Sequence, residues 1–329
     1  MGIPHPYWEL PQTFKCNGHA DPPRIATMRT RPFTQVDVFS PTPFLGNPLA
    51  VILDATGMTD EQMQDVALWT NLSETTFVLP PTSDGASEGA DYRVRIFTPG
   101  GEVPFAGHPT LGTAHAWLEN GGTPRRDDVV VQESGAGLVE LTVNTGDTGD
   151  TGDTAGELAF TAPPTTRSGP VSDADLGAFC AALGIDRDMV VNHQWVANGP
   201  EWAVVQLPSA QDVLDLGPDF SEHSDLLLGV VGFYGDEDGR DNGDGDSADV
   251  EVRAFAPGAG IHEDPVTGSL NASIGQWLLR SGQVTGAYTA SQGTVMGRTG
   301  RVTVTPTADG GNVLVGGATT TLIRGSVDV

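Results

Sequence analysis

The chain has 329 residues, a length for about two domains of ordinary size, and its 38% hydrophobic content supplies real cores. Against 43 acidic residues stand 16 Lys and Arg, a net charge of −27, and only one of those cations, Lys15, is a lysine. Such a surface repels phosphate backbones and anionic lipid, which argues against nucleic acid or membrane as partner, and no apolar run approaches the ~20 residues of a membrane span.

The acidity has two readings: a docking surface for a basic partner, or adaptation to a high-salt cytoplasm in which dense carboxylates keep a protein hydrated. The acid is spread along the whole chain and lysine is nearly absent, which favours the second. Neither a basic region nor an apolar stretch marks the N-terminus as a secretory signal, so a cytoplasmic protein is expected. Cys16 and Cys180 are isolated from each other and from any histidine cluster; they make neither a disulfide framework nor a zinc site.

Residues 1–27, with five prolines and no period, read as a flexible leader, and Met28 stands just before the first strand signal as the expected native start. Strands are expected at Val36–Phe39 and Ala50–Leu53. Thr59-Asp-Glu-Gln62 is a capping box opening a helix through Trp69, and Thr75–Leu79 and Tyr92–Phe97 read as strands. An apolar helix over 109–119 has Pro at its first position and ends before Gly121-Gly122; Val129–Gln132 and Gly137–Val143 follow as strands. The Thr-Gly-Asp repeat of 145–154 buries nothing and reads as a solvated loop. Beyond it come a helix at Asp173–Leu183, strands at Trp202–Leu207 and Val250–Phe255, a helix at Pro265–Arg280, and closing strands at Val302–Thr305 and Val313–Ile323. The acidic run 235–247 invites a calcium reading, yet it lacks the EF-hand spacing and its closing Glu, so no metal site is assigned.

Two segments match each other. His108-Pro-Thr-Leu-Gly-Thr113 and Asp264-Pro-Val-Thr-Gly-Ser269 each place an ionisable residue before Pro, Gly and a small hydroxyl residue. Both helices later carry Trp-Leu, at 117–118 and 277–278, and Glu133-Ser-Gly135 and Ser291-Gln-Gly293 follow as matching turns. Two similar domains facing each other are the expected architecture. Helix N-termini present free amides and a positive dipole end, so two of them at one cleft suit a carboxylate, with Gly112 and Gly268 permitting close approach. Glu74, between a helix and a strand, is flanked by Ser73 and Thr75, whose hydroxyls are placed to orient its carboxylate.

Six ordered segments resemble the PhzF family of phenazine-biosynthesis proteins: Asp37 to Pro48, Asn71-Leu-Ser-Glu-Thr-Thr-Phe77, Arg95-Ile-Phe-Thr-Pro99, Pro104 to Thr113, Glu263-Asp-Pro-Val-Thr-Gly-Ser269 and Gln292 to Arg298. The resemblance implies an α+β fold of the diaminopimelate-epimerase-like kind: two pseudo-symmetric domains, each a mostly antiparallel, barrel-like sheet round a central helix. They would span 28–155 and 156–318, with the final strand, about 319–329, returning to the first. It implies Glu74 as the general acid/base that carries a proton from one carbon to another, assisted by His108 and Asp264. Asn47, Ser73 and the amides of Gly107, Gly268 and Ser269 would bind a small carboxylated substrate. No cofactor, no metal and a homodimer complete the expectation. Two-thiol racemisation, as in other enzymes of this fold, is not expected, because no cysteine stands near the helix starts or beside Glu74. An epimerase working with one carboxylate, or a binding protein without chemistry, are the competing readings.

Overall fold

The computed structural model describes residues 28–144, 157–223, 225–235, 247–259 and 261–329. The leader with Cys16, the Thr-Gly-Asp repeat and most of the acidic run 235–247 lie outside them. The first part of the chain forms β1 (Thr30–Val38), β2 (Asn47–Ile52), α1 (Asp60–Thr70), β3 (Thr75–Leu79), α2 (Ser83–Glu88), β4 (Tyr92–Thr98) and β5 (Gly101–Val103). Then come α3 (Gly107–Glu119), β6 (Val129–Ser134), β7 (Gly137–Asn144) and β8 (Glu157–Thr161). The second part forms β9 (Arg167–Gly169), α4 (Asp173–Leu183), β10 (Asn192–Ala197), β11 (Ala203–Gln206), α5 (Ala210–Leu214), β12 (Leu228–Phe233), β13 (Val250–Ala256) and β14 (Ile261–Asp264). It ends with α6 (Gly268–Arg280), β15 (Tyr288–Gln292), β16 (Gly300–Pro306), β17 (Val313–Gly317) and β18 (Thr319–Asp328). Mixed sheet with few helices makes this an α+β protein.

The strand pairings repeat. From β2 they run parallel to β3, antiparallel to β4, parallel to β6, then antiparallel to β7 and β8. From β11 they run parallel to β12, antiparallel to β13, parallel to β15, then antiparallel to β16 and β17. The closing strands of the two series, β8 and β17, pair with each other. The strand after each series then crosses over: β9 lies against β10, and β18 against β1. On α3, His115 Nε2 lies 2.9 Å from Thr321 Oγ1, and Glu119 accepts hydrogen bonds from Thr321 and Arg324, which anchors β18 there. The expected single run Val313–Ile323 is broken at Ala318, where the chain leaves its pairings with β16 and β8 and takes up that with β1.

A second repetition lies in the side chains. Arg95 on β4 clamps Glu102 on β5 with Nε and Nη2 and sits over the Phe97 ring at 5.1 Å. Arg253 on β13 clamps Glu263 on β14 with the same two nitrogens and sits over Phe255 at 5.0 Å. Arg-Ile-Phe-Thr-Pro99 and Arg-Ala-Phe-Ala-Pro257 are thus one device used twice, a repeat legible in the sequence and not drawn from it above.

The two long apolar helices are enclosed. α3 packs against β1, β2 and β8, and α6 against β10, β16 and β17. Burial runs from Gly107 to Ala116 in α3 and from Gly268 to Leu278 in α6, so both are core elements, buried on all sides even at polar positions such as His115 and Asn271. Thr59 caps α1 with both hydrogen bonds of its box formed. Both central helices start differently from the expectation. Pro109 is the third residue of α3, not its first, and Pro265 precedes α6 altogether. With Asp264 on a strand and His108 inside a helix, the matched sequence segments are not matched in space. Gly107 and Gly268 are the partners that meet.

Candidate active site

The start of α3 faces the start of α6. A Cβ added to Gly107 would lie 2.8 Å from Gly268 Cα, and one added to Gly268 would lie 2.9 Å from Gly107 Cα. Only glycine permits this approach. Neither helix has a side-chain cap at its N-terminus: Ala106 offers none, and Thr267 turns its hydroxyl elsewhere. First-turn amides and two positive dipole ends therefore converge, which is a ready place for an anionic group. Gly112, expected at the ligand, faces the core instead; its missing side chain makes room for Leu49, Val38 and Val36.

Glu74 enters this junction from the turn between α1 and β3. Its side chain is 14% exposed, and Oε2 is buried with no hydrogen-bond partner. His108 Nε2, equally buried and unpartnered, lies 3.6 Å from it. Asp264, at the end of β14, completes the group. Asn47 ties it together: its Nδ2 lies 3.3 Å from His108 Nδ1 and donates to Asp264 Oδ1 at 3.1 Å and to the Val266 carbonyl at 2.9 Å. Two oxygen acceptors fix which end of this amide is the nitrogen. An amide nitrogen cannot accept, so a hydrogen on His108 Nδ1 would face it unmatched, and the imidazole therefore carries its hydrogen on Nε2, towards Glu74.

Burial dominates the electrostatics. Desolvation, then the nearby Asp264 charge, pushes the Glu74 carboxyl up to about 8. Desolvation alone pushes His108 down to about 3, so the ring is neutral. Asp264 is raised less, to about 6, because donors from Thr267 and Asn47 offset the burial. The two carboxyls titrate as a pair, with the proton favouring Glu74 at neutral pH.

The eight residues expected at the site gather at this junction, and the contacts of two of them are to one another's neighbours rather than to open space. Asn47 is fully buried behind His108 and Asp264 and holds them in place. Ser73 faces Asp264 rather than Glu74, and the Thr75 hydroxyl is shared with Thr70 at 2.8 Å. Ser269 Oγ accepts from Trp202 Nε1 at 3.3 Å, which leaves its own hydrogen for a ligand. Sequence reasoning missed Trp202, Thr267 and Gln292, the last quoted in a motif without a role. Among the described residues no cluster of three or more His, Cys, Asp or Glu is arranged to hold a metal ion.

This junction joins a buried carboxyl and imidazole to two converging helix starts, and curated relatives of the chain are named isomerases, the class of enzyme it is. It belongs to the phenazine biosynthesis-like (PhzC-PhzF) family, whose model matches residues 36–325. It is 34% identical over 248 residues to trans-2,3-dihydro-3-hydroxyanthranilate isomerase of Pseudomonas fluorescens, covering 75% of this chain and 80% of that protein. It is 39% identical over 259 residues to Antisense-enhancing sequence 1 of Schizosaccharomyces pombe, covering 76% and 81%. The PhzF-family protein of Bacillus anthracis has the same fold, with a TM-score of 0.73 at 23% identity, over 92% of this chain and all of that one. A probable proline racemase from Agrobacterium radiobacter is similar in fold at a TM-score of 0.53 and 13% identity, over 90% and 92%.

Proposed function

We propose that this protein is a cofactor-independent isomerase that moves a proton between two carbons of a small carboxylated substrate, with Glu74 as the carrier. The observation that carries the reading is the Glu74 carboxyl itself: buried, with Oε2 unpaired, facing neutral His108 at 3.6 Å beside two uncapped helix starts. The Gly107, Gly268 and Ser269 amides bind the substrate carboxylate. Glu74 takes a proton as a C–H bond breaks. The electron pair moves into the conjugated system towards that carboxylate, and the same carboxyl returns the proton to another carbon. A raised carboxyl suits this work, since it is a stronger base than an ordinary glutamate and is still partly ionised near neutral pH. Such a positioned group contributes about 10²–10⁴-fold, and amides aimed at developing charge supply more.

The repeated pairings support two pseudo-symmetric domains, 28–155 with 319–329 and 156–318, each a barrel-like sheet round α3 or α6. The acidic composition supports action in a high-salt cytoplasm, and we expect a homodimer. The test is NMR of trans-2,3-dihydro-3-hydroxyanthranilate in deuterium oxide at high potassium chloride, with wild type beside Glu74→Gln. Isomerisation in wild type, lost in the variant while binding persists, is the expected result. Equal rates in both would remove Glu74 from the reaction. Deuterium gain at one carbon with inversion and no double-bond shift would mark an epimerase instead.

A further inference from the structure

Gln292 ends β15, fully buried, and spends its whole amide on one short stretch of chain. Its Oε1 accepts from the Thr267 amide at 3.0 Å and from Asn271 Nδ2 at 2.9 Å. Its Nε2 donates to the Asp264 carbonyl at 3.0 Å and to Thr267 Oγ1 at 3.0 Å. Because the Thr267 hydroxyl accepts from Gln292, its hydrogen goes to Asp264 Oδ2, at 2.5 Å. Asn47 donates to the other oxygen. Both Asp264 oxygens therefore accept, while Glu74 Oε2 has no donor.

The remaining groups around this pair do not compete. His108 is neutral and its Nε2 hydrogen faces Glu74 from 3.6 Å, beyond hydrogen-bond distance; Ser73 adds a hydroxyl towards Asp264, and Glu263 on β14 is neutralised by Arg253 of β13. Arg298, on the turn after β15, donates to the Phe44 and Gly46 carbonyls. Two buried carboxyls with no cation bonded to either among the described residues settle as one charged and one protonated, and the donors decide which.

We propose that Gln292 is a positioning residue for the reaction: through the directed chain from Gln292 to Thr267 to Asp264 it keeps Asp264 ionised, and so leaves the cleft's proton on Glu74. This deepens the proposed function and rests on Glu74 as the carrier. The molecule contains its own control. Gln132, fully buried on β6, donates to Thr110 Oγ1 at 3.3 Å and accepts from the Tyr92 hydroxyl at 2.8 Å. Thr110 is the fourth residue of α3 as Asn271 is the fourth of α6, so each glutamine braces one central helix. Only the Gln292 chain ends on an acid.

The test needs no substrate in its first arm. Infrared spectra at neutral pH report a protonated buried carboxyl, which Glu74→Gln removes. In Gln292→Met, and in Thr267→Val should the first variant fold poorly, the proton passes to Asp264, so the band survives when Glu74→Gln is added. Unlocking or losing the Thr267 hydrogen bond, worth about 1.5–3 kcal/mol at a charged carboxyl, moves the Asp264 step up by about one to two pH units, which closes the gap to Glu74. In turnover, the rising limb of kcat/KM moves to lower pH, because Glu74 is then ionised earlier, and the plateau above it falls with the weaker base, whereas Gln132→Met loses stability with the profile in place. A band absent from wild type, or absent from both double variants, overturns the assignment. An inactive wild type with the infrared result intact overturns the proposed proton transfer on that substrate and leaves the proton's address standing.

Discussion

Gly268→Ala isolates the meeting of the two helix starts. Neither Gly107 nor Gly268 has a positive φ, so alanine is not strained by its backbone and the effect is purely one of space. The new methyl would lie 2.9 Å from Gly107 Cα and 3.1 Å from the His108 amide nitrogen, where ordinary contact begins near 3.4 Å. The obstructing atoms are backbone and cannot rotate aside, so the helices must part by roughly half an ångström. Overpacking of this kind costs about 1–3 kcal/mol. The same shift moves the amides off the substrate carboxylate, and a misplacement approaching 1 Å costs about 10²-fold in rate. We therefore expect kcat/KM to fall by about 10–100-fold with the chain still folded, followed by NMR turnover and by thermal melts. Gly112→Ala is the matched control: it strikes only the Leu49, Val38 and Val36 side chains and is expected to lower Tm while leaving kcat/KM within about threefold. Wild-type kinetics in Gly268→Ala would refute the role given to the helix junction.

Glu74→Gln should separate function from stability. The folded chain holds this proton more tightly than the unfolded chain, so wild-type stability falls as pH rises from the ordinary 4.5 to about 8. The variant lacks that fall, and its Tm should exceed that of wild type at pH 9 and match it near pH 4.5, read by melts in matched salt. For the same reason wild-type kcat/KM should climb with pH towards a limb near 8, since the ionised carboxyl begins the reaction; a profile flat from pH 6 to 9 would contradict it. Asn198→Leu removes two buried unpaired amide atoms and should raise the unfolding free energy by roughly the 1–3 kcal/mol that one unsatisfied group costs, read by chemical denaturation; unchanged or lower stability would mean the amide is satisfied in the folded protein. Thr59→Ala unmakes the α1 capping box and should cost about 1 kcal/mol in chemical denaturation with turnover unchanged.

Much of this protein was written locally. The capping box at Thr59, the β3 segment with its β-branched run, and the helix Asp173–Leu183 with its cap at Ser172 and Gly184 in the left-handed region are decided by neighbours in the chain. The site's ionisable residues were also legible, because a carboxyl and an imidazole beside proline and glycine at two helix starts are few in kind. What local reasoning misplaced depended on distant partners. Pro109 and Pro265 both permit a helix start, but only the packing of Gly107 on Gly268 decides where the two helices begin. β10 and β14 are short segments without a clear alternating pattern, and strands such as these form because a neighbour supplies the ladder. Composition alone cannot say which glycine faces a ligand and which the core, as Gly112 demonstrates. Nor can it say which of two acids holds a proton. That outcome rests on donors brought from β2, on Thr267 at the entry to α6, and on Gln292 of β15, and on burial, which only the closed tertiary structure provides.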